Sequence, residues 1–278
     1  MIWPAEDLWQ AMVGLQPGLT VEVLPEIDST NTELMRRARA GQTDPVLLVA
    51  ESQTAGRGRL GRPWHGKTGD ALTFSLGLML APQDWSGLSL AVGLSLVQSL
   101  DPRADLGLRL KWPNDVWVAR PGTPMGWGKL AGILMETAVA TGRSAAPPVP
   151  AGAPFAPARY CVVGVGINIA APQAQGLSTE PLGLQDLLPG ITAAQTLSRV
   201  AQPLLTTLLA FQSPGVQGGF APLHNAFHAR DALRDLTVSL SDGRTGVARG
   251  VDATGALRVE TAQGLEVINS SEVSVRPQ

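Results

Sequence analysis

At 278 residues the chain is long enough to bury a large core, and its length predicts one larger domain with a smaller one attached. Hydrophobic residues make up 44% and charged residues 16%, with a mean hydropathy of +0.11, which excludes disorder, collagen and coiled coil as descriptions of the whole. A formal net charge of -2 provides no global cationic field for DNA or anionic lipid, and a single cysteine, Cys161, excludes an internal disulfide.

In chain order, LTVEVLPE at 19–26 alternates as a strand, and Thr30 with Glu33 forms a capping box that predicts a helix from Asn31 to Ala40, stopped by Gly41. Val46 to Ala50 reads as a buried strand, the Gly-rich stretch up to Gly69 as a loop, and Ala71 to Leu80 as another strand. Ser86 to Leu100 predicts an amphipathic helix. Strands follow at Gly107–Lys111, Asp115–Ala119, Lys129–Ala138 and Arg159–Ile169, then helices near Ala193–Phe211 and Phe220–Arg230. Without strict βαβ alternation, the expectation is an α+β fold with a mixed sheet flanked by helices. The Pro/Ala-rich stretch 143–158 cannot hold a ladder and is expected to be a flexible surface insertion. After Asp235, five short segments (LTVSL, GVARGVD, ALRVE, LEVIN, VSVRP) with Asp-Gly, Thr-Gly and Gln-Gly turns predict a small all-β domain over 236–278, following a larger domain over 1–235.

Chemistry concentrates in a few stretches. Residues 56–67, GRGRLGRPWHGK, carry Arg57, Arg59, Arg62 and Lys67 with four glycines and no acid. The glycines permit close backbone approach to a ligand and the arginines offer planar donors for phosphate or carboxylate; a nucleic-acid backbone or plain solvent are the rival partners. The spacing is not that of a Walker A loop. The chain has three lysines, Lys67, Lys111 and Lys129, in an otherwise arginine-based set. Lys111 opens KWPND, which presents a cation, an amide and a carboxylate together or is simply a β-turn. Lys129 opens the apolar strand GKLAGIL, where an ammonium needs an anionic partner. VGVGINI ends in a lone amide, Asn168. His65, His224 and His228 lack metal-ligand company and are expected to be structural or solvent-facing.

Taken in order, DSTN, ESQTAGRGRLGRPWHG, KWPND, GKLAGIL and GVGINI resemble the biotin protein ligases, from about Thr20 to Arg276. The resemblance implies a catalytic domain related to the class II aminoacyl-tRNA synthetase fold, followed by an SH3-like β-domain. It implies an ATP-dependent enzyme that forms biotinyl-5′-AMP and passes biotin to a lysine of a biotin carboxyl carrier domain, with Mg²⁺ bridging the phosphates and no dedicated metal ligands. Ser29, Thr30, Asn31, Gln53, Arg57 and Gly58 would serve biotin, and Arg59 and Lys129 would sit between its carboxylate and the α-phosphate. Arg62, Trp64, Asn114 and Asn168 would serve the nucleotide, with Trp64 as a stacking surface. Asp115 would either orient Lys129 or receive the incoming lysine's proton. Lipoate or octanoate ligation is the rival within this chemistry, and a biotin-sensing transcriptional regulator the rival outside it.

Fewer than thirty residues precede DSTN, which is short for a helix-turn-helix, so a monofunctional enzyme without specific DNA binding is expected. No run reaches the roughly 18 apolar residues of a membrane helix, and MIWPAEDLWQ lacks the features of a secretory signal, so the expected address is the cytoplasm. The motifs are compatible with a homodimer as well as a monomer.

Overall fold

A computed structural model describes residues 2–119, 126–139, 157–173, 179–269 and 275–277. Of the expected insertion at 143–158, all but residues 157 and 158 lie outside the described residues. The chain runs α1 (Ala5–Val13), β1 (Thr20–Ile27), α2 (Thr30–Arg39), β2 (Val46–Gln53), β3 (Ala71–Leu80) and α3 (Leu88–Leu100). It continues through β4 (Leu108–Lys111), β5 (Asp115–Ala119), β6 (Trp127–Val139) and β7 (Arg159–Asn168) to α4 (Ala193–Phe211) and α5 (His224–His228). The last part is all strand: β8 (Thr237–Leu240), β9 (Thr245–Val251), β10 (Leu257–Thr261), β11 (Gly264–Ile268) and β12 (Val275–Pro277).

The first seven strands form one mixed sheet in the order β1-β2-β3-β7-β6-β5-β4, in which β1 and β2 are parallel and every other pair is antiparallel. Strand alternation divides this sheet into two faces. Leu47 and Val49 of β2 and Val163 and Val165 of β7 point into the main core beneath α3 and α4. Val46 and Leu48, with Tyr160 and Val162, point the other way, where Leu34, Met35 and Ala38 of α2 cover them. The last five strands form an antiparallel sheet in the order β11-β10-β9-β8-β12. The α+β expectation with a second small β-domain therefore holds.

Four details differ from the sequence reading. Helix α1 was not foreseen; it places Leu8 and Met12, one turn apart, into the main core. The α2 cap is Ser29, whose extended backbone lets its hydroxyl accept from Thr32 N, while Glu33 pairs with Arg36 and Arg37 instead of reaching back. Helix α3 is not amphipathic: ten of its thirteen residues are buried, because the sheet lies on one side and α4 on another. The expected helix at 220–230 is a 3₁₀ turn (Ala221–Leu223) leading into the short α5.

The two sheets are joined by specific polar contacts. Trp112 is fully buried and its Nε1 donates to Gly255 O at 3.0 Å. His224 and His228 both place Nε2 against Val251 O, at 2.9 and 3.2 Å, so these histidines tie the first part of the chain to the β-domain. The free edge of β4 is covered by the segment before β8, through Leu110 N to Arg230 O and Ala232 N to Leu110 O. Arg230 then reaches into the core, where its guanidinium pairs with Asp101 at 2.8 Å.

Candidate functional site

The site lies on the α2 face of the large sheet, beyond the N-terminus of that helix. Leu72, Phe74 and Leu76 point into the core, so Thr73 and Ser75 of β3 face the site; by the same alternation β7 presents Gly164, Gly166 and Asn168. A cavity of about 510 Å³ opens over this floor, a size suited to a cofactor-scale ligand. Every site residue expected from the sequence lines it: Ser29, Thr30, Asn31, Gln53, Arg57, Gly58, Arg59, Arg62, Trp64, Asn114, Asp115, Lys129 and Asn168.

One end is built on neutral polar side chains. As a first-turn residue Thr30 has an N–H without an intrahelical acceptor, and it donates to Gln53 Oε1 at 2.8 Å, with Thr30 Oγ1 also bonded to Gln53 Oε1 at 3.1 Å. Ser75 Oγ lies 2.7 Å from both Thr30 Oγ1 and Asn31 Oδ1. Asn31 Nδ2 donates to Glu136 Oε2 at 2.9 Å and Leu134 O at 3.2 Å. Ser29, Thr30 and Asn31 are each 3% exposed, so this end is a desolvated, fixed set of donors and acceptors. Ser75 and Glu136 were missed from sequence; each is a polar residue interrupting an apolar strand.

The arginine loop closes the cavity as a small hairpin. Gly58 N donates to Arg62 O at 2.7 Å, Trp64 N donates to Gly56 O at 2.9 Å, and Arg57 pairs with Pro63. Its turn uses left-handed backbone at Leu60 (φ 57°) and Gly61 (φ 70°); for a leucine that conformation costs on the order of 1–2 kcal/mol. Arg57 anchors the loop through Glu136, at 2.9 Å. Trp64 lies against the glycine floor: a Cβ at Gly166 would sit 2.4 Å from its Cε2, and one at Gly132 would sit 3.2 Å from its Cζ3. The indole therefore depends on those glycines, and its buried Nε1 has no hydrogen-bond partner among the described residues.

The other end is cationic. Lys129 Nζ lies 2.8 Å from Asp115 Oδ1 and 5.9 Å from the centroid of the Trp64 ring. Arg59 Nη1 donates to Asn114 Oδ1 at 3.3 Å, and burial holds its guanidinium below the ordinary arginine pKa, opposed by Asp115 and reinforced by Arg62. Asn114 Nδ2 is bonded to Ile133 O at 2.9 Å, and Asn168 Nδ2 to Lys129 O at 3.2 Å, so both amides also brace the strand that carries Lys129. Among the described residues no cluster of three or more His, Cys, Asp or Glu is placed to hold a metal.

Comparison with known proteins identifies the family. Residues 23–145 match the model of the Biotin/lipoate A/B protein ligase family, and residues 240–276 that of the Biotin protein ligase C terminal domain. The chain is 34% identical over 267 residues to a biotin–acetyl-CoA-carboxylase ligase of Mycobacterium tuberculosis, an alignment covering 91% of this chain and 88% of that protein. It is 31% identical over 272 residues to the bifunctional ligase/repressor BirA of Escherichia coli, covering 95% of this chain and 77% of that protein. In three dimensions it resembles a biotin protein ligase from Aquifex aeolicus in complex with biotin and ATP, with a TM-score of 0.69 and 25% identity, covering 93% of this chain and 99% of the other. The chain belongs to the biotin protein ligase family.

Proposed function

We propose that this protein activates biotin with ATP and transfers it to a lysine of a biotin carboxyl carrier domain. In the first step a biotin carboxylate oxygen attacks the α-phosphorus of ATP, forming biotinyl-5′-AMP and releasing pyrophosphate. In the second the acceptor's neutral ε-amine attacks the acyl carbon, its proton leaves, and AMP departs. The observation that carries this reading is one cavity with an end of neutral hydrogen-bonding side chains and a cationic end.

In this reading Ser29, Thr30, Asn31, Gln53 and Arg57 hold biotin's head and chain, with Gly58 letting the loop backbone approach. Two anions must meet in the first step, and Lys129 with Arg59 offsets their repulsion and stabilises charge developing between them. Asp115, paired with Lys129 at 2.8 Å, fixes that ammonium. Arg62, Trp64, Asn114 and Asn168 serve the nucleotide. Among the described residues the only carboxylate lining the cavity is Asp115, already engaged with Lys129, so Mg²⁺ belongs to this scheme as the counter-ion of ATP. The division into a catalytic domain over 1–235 and an SH3-like domain over 236–278 belongs to the same proposal.

Octanoate or lipoate is the rival substrate, and the buried Thr30–Gln53–Ser75–Asn31 network argues against it. Fixed neutral donors and acceptors can exchange hydrogen bonds with a ureido head, whereas an alkyl chain offers them no polar partner. Among the described residues no helix is long and apolar enough to cross a membrane, and the use of ATP fits a cytoplasmic address. The test is incubation with ATP, Mg²⁺, a biotin carboxyl carrier domain and either biotin or octanoate, read by acceptor mass. Biotinylation alone supports the proposal; octanoylation in preference, or no modification, refutes it.

A further inference from the structure

Resting on the adenylation reading, a second role can be assigned at the cationic end. Lys111 closes β4 and stands directly opposite Asp115 in the β4–β5 ladder. Its side chain lines the cavity, yet the residue is only 8% exposed. Nζ lies 5.7 Å from the centroid of the Trp117 ring, and no carboxylate or carbonyl among the described residues accepts a hydrogen bond from it. Asp115, the one acid lining the cavity among the described residues, has its Oδ1 2.8 Å from Lys129 instead. Burial pushes the Lys111 ammonium down to about 8, opposed by Asp115 and reinforced by Lys129, Arg59 and Arg62.

A buried, unpaired ammonium is costly unless something pairs with it. The count of charges says what. Among the described residues that line this cavity, Lys111, Lys129, Arg59, Arg62 and Arg276 stand with one carboxylate, Asp115, while Arg57 pairs with Glu136. The adenylate carries one negative charge at its phosphate and cannot balance that excess, whereas a triphosphate can. We propose that Lys111 binds the β- and γ-phosphates of ATP and the departing pyrophosphate, leaving the α-phosphate to Lys129 and Arg59. Lys111 would then act in the half-reaction that involves pyrophosphate and be silent in the one that does not.

The two half-reactions can be measured apart. The first is followed by biotin-dependent exchange of labelled pyrophosphate into ATP, the second by single-turnover transfer from supplied biotinyl-5′-AMP to a carrier domain. Losing one charge-assisted contact should raise the KM for pyrophosphate in Lys111→Met roughly 10- to 100-fold. Transfer should stay within about twofold of wild type, which also shows that the variant is folded. Lys111→Arg keeps the charge and should recover most of the exchange. Unchanged exchange, equal loss in both half-reactions, or loss of transfer alone would each overturn the assignment. Should Lys111→Met fail to fold, Lys111→Gln is read in the same two assays: a selective rise in the KM for pyrophosphate, with transfer intact, supports the role, and unchanged exchange or parallel changes in both steps refute it. Failure of wild-type protein to exchange pyrophosphate at all would refute the adenylation reading itself, a result distinct from any of these.

Discussion

The two ends of β4 treat buried charge in opposite ways. At the Leu108 end, Arg230 meets Asp101 at 2.8 Å, and its Nη2 also donates to the Asp101 backbone oxygen at 2.6 Å. Asp101 in turn accepts from Leu106 N and Leu108 N, and these bonds hold its carboxyl below the ordinary range against the cost of burial. Every charge there has a partner from the chain. At the Lys111 end, among the described residues, Lys111, Lys129, Arg59, Arg62 and Arg276 line a cavity with one carboxylate, Asp115. The first cluster joins the end of α3 to the segment leading into the second sheet; the second leaves positive charge unbalanced in a cavity. Structural charge is paired by the chain itself, and functional charge waits for a ligand.

Breaking the paired end should show in stability. Asp101→Ala leaves the Arg230 guanidinium buried without its carboxylate and should destabilise by about 3–5 kcal/mol in urea unfolding, while the cavity's chemistry changes only in proportion to the folded fraction. Breaking the unbalanced end should do the reverse. Lys129→Ala should slow adenylate formation by about 3–4 kcal/mol in barrier, or roughly 10²- to 10³-fold, with little change in melting temperature. If Lys129→Ala exchanged pyrophosphate at the wild-type rate, the ammonium would have no part in activation.

A third site sharpens the contrast. Asp231, in the segment after Arg230, has one oxygen bonded to Leu233 N and the other buried with no hydrogen-bond partner among the described residues. Burial raises its carboxyl to about 6 from 3.8. With the folded pKa above the unfolded one, the native state holds the proton longer, so this group's favourable contribution is complete below about pH 4 and is lost as the pH rises through 6. Asp231→Asn should therefore be more stable than wild type at pH 7, by on the order of 2 kcal/mol, with the difference fading towards pH 4 in paired melts. An equal difference at both pH values would mean that ionisation is not the cause.

The smallest effect expected is at the loop anchor. The Arg57–Glu136 pair is partly exposed, with Arg57 43% accessible, so its worth is about 0.5–1 kcal/mol. Glu136→Gln should raise the KM for biotin a few-fold and speed tryptic cleavage at Arg57, Arg59 and Arg62. Unchanged cleavage would show that Glu136 does not hold the loop.

The sequence made the sheet strands legible because alternation along 71–80 and 159–169 is strong and the turn chemistry after Asp235 is explicit. Helix α1 escaped because it is short, and of its apolar residues Leu8 and Met12 alone are buried. Helix α3 misled because Ser89, Ser95 and Gln98 look like a polar face, although Ser95 is buried and Ser89 is bonded to Pro113 O. The site was readable where its residues are contiguous, as in DSTN, the arginine loop and KWPND. Ser75 and Glu136 were not, since their place depends on which face of a strand they occupy, and register is a property of the paired sheet. The Ser29 cap was missed because Thr30, which fits a capping box by spacing, turns instead to Gln53.

The central claim is that the unbalanced cavity activates a carboxylate with ATP. Biotin-dependent exchange of labelled pyrophosphate into ATP, measured without any acceptor, tests it most directly. The account predicts exchange that requires biotin and Mg²⁺ and falls at least about 100-fold in Lys129→Ala. Exchange that is absent, or that proceeds equally without biotin, would contradict it.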